Sequence, residues 1–90
     1  MYTVFYGNKF KKDYKLIKKR KYDIKKLKEV IGILMNGREL PVKYKDHALT
    51  GDYVGYRECH IQPDWLLIYK IENNNLVLLL LRTGTHSDLF

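Results

Sequence analysis

Hydrophobic positions along the chain switch between the two spacings that strands and helices impose. Tyr2 to Tyr6 is a β-branched and aromatic run stopped by Gly7-Asn8, which predicts a short strand. Asn8 is the expected cap of a following helix. Phe10, Tyr14, Ile17 and Lys21 then fall at i, i+4, i+7 and i+11, beneath a surface of Lys11, Lys12, Lys15, Lys18 and Lys19. Tyr22-Asp23 interrupts this basic amphipathic helix, and Asp23 can cap a second one. Ile24, Leu27, Val30, Ile31 and Leu34 carry the second helix to a stop at Asn36-Gly37. So short a link predicts an antiparallel helical hairpin.

Gly37 to Gly55 keeps no period, and Pro41, Gly51 and Gly55 punctuate it, so it reads as a connection of functional length. Tyr56 to Ile61 and Trp65 to Ile71 are expected strands joined by the turn Gln62-Pro63-Asp64. Asn73-Asn74-Asn75 turns the chain into a third, Leu76 to Arg82. That run does not alternate, which suits an inner strand covered on both faces. The order β-α-α-β-β-β predicts an α+β fold: a helical hairpin packed on a small, twisted, mainly antiparallel sheet.

With 46% apolar residues in 90, the chain holds one core and one domain, residues 1–90. Its longest clean apolar run, Leu76 to Leu81, is far short of the roughly 18 residues of a membrane span. Residues Met1 to Tyr6 lack the basic and apolar regions of a signal peptide, and the lone Cys59 suits a buried thiol in a reducing compartment, so a cytoplasmic location is expected. The net charge of +7 is unevenly placed. Residues 1–45 hold 14 Lys+Arg against 4 Asp+Glu (+10), and residues 46–90 hold 3 against 6 (−3). Lysines on a helix are usually a solvated face, but so large an unpaired excess points to a polyanionic partner, a nucleic acid or an acidic protein.

All three histidines, His47, His60 and His86, lie in the other half, with Asp64, Trp65, Arg82 and Phe90. Imidazoles beside a carboxylate and a guanidinium provide a general base, a general acid and a cation for developing charge, which suits RNA cleavage by attack of the 2′-OH on its own phosphate. Period-2 alternation puts Glu58 and His60 on one sheet face and Arg57, Cys59 and Ile61 on the other. Singly, each residue has an ordinary reading: Asp64 as turn chemistry, Trp65 as core, Arg82 as a strand-end charge. His47, Cys59, His60 and His86 could in principle ligate zinc. Their spacing argues against it, since no C-x-x-C or H-x-x-x-H occurs and Cys59 and His60 point apart. No metal and no cofactor is expected, and no Gly-rich phosphate loop occurs.

Three stretches carry a family resemblance: Asp46-His47-Ala48-Leu49-Thr50-Gly51, Arg57-Glu58-Cys59-His60-Ile61-Gln62-Pro63-Asp64-Trp65, and Arg82-Thr83-Gly84-Thr85-His86-Ser87-Asp88-Leu89-Phe90. They closely resemble the YafQ-type toxins of the RelE/ParE superfamily, and the order of the preceding elements agrees. The resemblance implies a RelE-like fold and a bacterial type II toxin: a ribosome-dependent endoribonuclease that cuts mRNA in the A site. It also implies an antitoxin with a DNA-binding domain, through which the pair reaches operator DNA and represses its operon. Carried over, the catalytic residues are His47, His60, Asp64 and His86. Arg82 contacts phosphate, and Trp65 and Phe90 shape or stack in the pocket. The expected division of labour has His60 with Asp64 deprotonating the 2′-OH and His86 or His47 protonating the leaving oxygen, with acid and base interchangeable. The Lys-rich face is then the dock for ribosomal RNA or the antitoxin. The alternative, a non-catalytic or ParE-like protein directed at gyrase or acting only through antitoxin and DNA, has no need of three histidines.

Overall fold

The computed structural model describes residues 1–90, with β1 Thr3–Tyr6, α1 Asn8–Lys19, α2 Ile24–Met35, β2 His47–Ala48, β3 Arg57–Gln62, β4 Trp65–Glu72, β5 Val77–Gly84 and α3 His86–Leu89. Single 3₁₀ turns at Val42–Tyr44 and Gly51–Tyr53 flank β2. The strands form one sheet in the order β1-β5-β4-β3-β2, antiparallel except where β1 runs parallel to β5. The predicted elements are all present, and β5 is an inner strand, as its unbroken apolar run required.

Both faces of the sheet are covered. Phe10 and Ile17 of α1 and Leu27, Val30 and Leu34 of α2 pack on the face formed by Cys59, Ile61, Trp65, Leu67, Tyr69, Leu78 and Leu80. Leu66 and Ile68 point the other way, where Leu89 of α3 seals them together with Leu49, Tyr53 and Tyr56. That division explains why Trp65 to Tyr69 is buried without alternation. Each such side chain contributes roughly 1.5–3 kcal/mol by leaving water. An open groove of about 510 Å³, lined by Tyr6, Phe10, Tyr14, Lys11, Leu27 and Ile31 among others, runs between α1 and α2.

Asp23 caps α2 as expected, accepting from the Lys25 backbone N–H at 3.1 Å. Asn8 does not cap α1: it is the first helical residue, and Gly7 holds the cap position without a side-chain bond. Gly7 is required there because its backbone presses on β5, where a Cβ would sit 2.9 Å from the Leu80 carbonyl oxygen. Two elements were unforeseen. The two-residue β2 is too short for a periodic signal, and the four-residue α3 is signalled only by Thr85-His86-Ser87-Asp88, a capping box in which Thr85 Oγ1 accepts from the Asp88 N–H and Asp88 Oδ2 accepts from the Thr85 N–H.

The α1 stripe also differs from expectation. Its third buried residue is Asp13, which accepts from Arg82 Nε at 2.7 Å, from Arg82 Nη2 at 3.0 Å and from the Thr83 backbone N–H at 3.1 Å. A carboxylate thus ties α1 to the end of β5, beyond the last residue that β1 pairs.

Candidate active site

The three histidines come from three elements and meet at one end of the sheet. His47 on β2 pairs in register with Glu58 on β3, so the two side chains share a face, and His60 lies two residues further along that face. The Gln62–Trp65 turn brings Asp64 alongside, and His86 opens α3. Ring centroids are 6.2 Å apart for His47 and His60 and 6.1 Å for His60 and His86, which makes a row with His60 at its centre. Phe90 continues the row 6.1 Å beyond His86 and packs edge-on against Tyr53.

Hydrogen bonding orients each imidazole. His47 Nδ1 lies 2.8 Å from the Lys45 carbonyl oxygen and His60 Nδ1 lies 3.2 Å from that of Pro63. A carbonyl only accepts, so both Nδ1 atoms carry the proton and both Nε2 atoms are left for chemistry. These Nε2 atoms converge on Glu58 Oε1, at 3.4 Å from His47 and 3.7 Å from His60. Glu58 is only 6% exposed at its side chain, and its charge offsets that of either ring once protonated. His86 Nδ1 faces Asp64 Oδ1 at 3.3 Å, and the same oxygen accepts the His86 backbone N–H.

This corrects one expected pairing: Asp64 orients His86, while the carboxylate next to His60 is Glu58. The alternation of β3 already places Glu58 beside His60, so that signal was present in the sequence. Cys59 does point away as expected, into the helix-covered core, where burial pushes its thiol up to about 12. Three other groups nonetheless have the makings of a metal site, since His47, Glu58 and His60 each offer a ligand atom within 4.8 Å of the others. Glu58, which was not among the four zinc-ligand candidates of the sequence, supplies the third donor in place of Cys59.

The expected supporting residues divide. Phe90 is 62% exposed and free to present a ring face. Trp65 is corrected: it is 1% exposed, lies edge-on to Tyr22 at 5.0 Å and donates Nε1–H to Thr83 Oγ1, so no base can stack on it. Its role is to fix the β4–β5 end that carries the site. Arg82 spends Nε and Nη2 on Asp13, whose carboxylate raises the guanidinium above its usual value against the opposing effect of burial. Its Nη1 makes no hydrogen bond within the protein and is not buried, which leaves one edge for a phosphate. Lys11, Lys12, Lys15, Lys18 and Lys19 are all exposed on α1.

Helix α3 is held from outside by Arg20, which grips Asp88 with two bonds of 2.7 and 3.2 Å. Gly84 leads into it at φ +155°, where a Cβ would lie 2.9 Å from Asp88 Oδ2. Arg20, and after it the Thr85 N–H, hold the Asp88 carboxyl at about 2, below its ordinary 3.8. Lowered in the folded state, this group stabilises fully above pH 4 and loses its contribution as pH falls toward 2. Asp88→Asn should therefore be less stable than the parent at neutral pH, with the gap closing between pH 4 and 2. Urea melts across that range test it, and a gap independent of pH would show that the clamp does not act through the charge.

Residues 2–90 match a family described as "bacterial toxin of type II toxin-antitoxin system, YafQ". The mRNA interferase toxin YafQ of Escherichia coli strain K12 is 46% identical over 86 residues, 94% of this chain and 91% of that protein. A metal-bound toxin from Helicobacter pylori shares the fold with a TM-score of 0.94 at 44% identity, covering 100% of both chains. The toxin in the E. coli DinJ-YafQ complex gives a TM-score of 0.91 at 44% identity, covering 100% of this chain and 99% of that one.

Proposed function

Because the chain belongs to the YafQ family of bacterial type II toxins, we propose that it is an mRNA interferase that cuts message in the ribosomal A site. The observation that carries this reading is the row of three oriented imidazoles, each with a carboxylate within 3.7 Å. His60, with its Nδ1 proton committed to Pro63, offers the Nε2 lone pair to the 2′-OH. The freed 2′-oxygen attacks the adjacent phosphorus, and Glu58 balances the charge arriving on His60. His86, held by Asp64 at Nδ1, delivers a proton from Nε2 to the departing 5′-oxygen, leaving a 2′,3′-cyclic phosphate and a 5′-hydroxyl. Arg82 Nη1 bears on the non-bridging oxygens, and Phe90 stacks on a neighbouring base. His47, on the far side of Glu58, positions that carboxylate. The proton transfers use these side chains alone.

The same reading places the protein in the bacterial cytoplasm with an antitoxin, as in the DinJ-YafQ complex, and operator DNA is reached only through that partner. The exposed lysines of α1, next to the apolar groove between α1 and α2, suit both an acidic amphipathic antitoxin segment and ribosomal RNA. Induction of the chain alone, with primer extension on a reporter message, tests the activity. Discrete cuts that vanish when translation is blocked support it. Intact message in growth-arrested cells counts against it.

A further inference from the structure

A cavity of about 360 Å³ opens beside His60, lined among others by Lys26 of α2, Lys43, Lys45, Gln62 and Pro63. We propose that this cavity seats a backbone phosphate of the RNA strand next to the one being cut; the inference rests on the RNA-cleaving reading of the histidine row. Lys26 comes to the cavity from α2 and Lys43 and Lys45 from the 3₁₀ turn before β2, and Glu29 is the one acid among its lining residues. Lys26, Lys43 and Lys45 make no ion pair within the protein, so their charges are available to an anion. Lys43 is steadied by Tyr44, its Nζ 5.0 Å from the ring centroid.

Two features tie the cavity to the chemistry. His60 belongs both to its wall and to the centre of the imidazole row, so a strand whose scissile phosphate sits at His60 has this cavity as its immediate neighbour. Lys45 is the second link. It adopts the left-handed region, φ 50° and ψ 42°, a conformation that a residue with a Cβ rarely takes. That backbone aims the Lys45 carbonyl at His47 Nδ1, and the same residue lines the cavity. Beyond His86 the row is aromatic, with Phe90 and Tyr53. The strand is thus gripped by charge on one side of the cut and by stacking on the other.

The test is an NMR titration of the full chain with a short single-stranded RNA carrying a 2′-deoxy residue at the scissile position, which binds without being cut. Amide shifts are expected at Lys26, Lys43, Lys45 and Gln62. The variant Lys26→Gln/Lys43→Gln/Lys45→Asn, in which Asn tolerates the left-handed backbone, should bind roughly tenfold more weakly. Its salt slope should fall by about 0.7, the share of one single-strand phosphate. Shifts that bypass the cavity, or equal affinity and slope for parent and variant, overturn the inference. The readout needs neither ribosome nor cleavage. A chain that binds at the cavity yet never cuts message sinks the proposed activity while the RNA seat stands, and a chain that cuts with the cavity silent does the reverse.

Discussion

His60→Ala should lower message cutting by roughly 10²–10⁴-fold, the share that a positioned general base supplies. The central place of His60 in the row makes it the least replaceable imidazole: it is 6.1–6.2 Å from each neighbour and in reach of Glu58. His60 is partly exposed and its ring bonds only to the Pro63 carbonyl, so the variant should melt close to the parent. Primer extension in a translating extract, paired with a thermal melt, separates chemistry from folding. Cutting within threefold of the parent by a folded His60→Ala protein removes the base assignment. Glu58→Gln is the companion variant: it keeps the shape but not the charge, and should slow cutting less than loss of the imidazole.

The second large effect falls on stability. Asp13→Ala should destabilise the fold by about 3 kcal/mol, the lower end for breaking a buried pair by removing one partner. Three donors lose their acceptor at once: Arg82 Nε, Arg82 Nη2 and the Thr83 N–H. The Arg82 and Asp13 side chains are only 19% and 11% exposed, so water replaces the carboxylate poorly. For a domain of this size the midpoint should drop by roughly 12–24 °C, at about 4–8 °C per kcal/mol. Asp13→Asn, which still offers an oxygen to the Thr83 N–H, should fall between the two. A melt of Asp13→Ala within a few degrees of the parent would mean that the α1–β5 clamp contributes little. Because Arg82 then loses its anchor, cutting should weaken even where the protein stays folded.

The elements that local periodicity specifies were legible in the chain. The α1 and α2 stripes, the β3–β4 and β4–β5 hairpins and the inner position of β5 all follow from spacing and turn residues. What spacing does not encode is pairing at a distance. The parallel register of β1 with β5, the ion pair of Asp13 with Arg82 and the clamp of Arg20 on Asp88 join residues about 70 positions apart. Asp13 shows the difficulty most clearly, since an acid among lysines reads as a surface residue until its partner is known.

The site was legible to a similar depth. His47, His60, Asp64 and His86 do converge, as their residue types and the family resemblance implied. Glu58 beside His60 was legible from the alternation of β3, but the pairing of Asp64 with His86 was not, because the turn after β3 carries Asp64 past His60 to the start of α3. The stacking role offered for Trp65 failed for a related reason, while its ordinary reading as core held. A family motif records that a residue matters near the site, and only packing tells whether its ring faces the substrate or the core.

The pairing of β1 with β5 also sets a clock. Thr3 waits for Val77, its neighbour 77 − 3 = 74 residues later. At about 5–20 residues per second, synthesis leaves the first strand unpartnered for roughly 4–15 s. Throughout that interval Arg82 and His86 have not been made, so the growing chain holds neither β5, the strand that joins β1 to the rest of the sheet, nor a complete histidine row. A protein proposed to attack translating ribosomes is therefore harmless to the one that makes it until nearly the whole chain has been read, and a partner has those seconds in which to meet it.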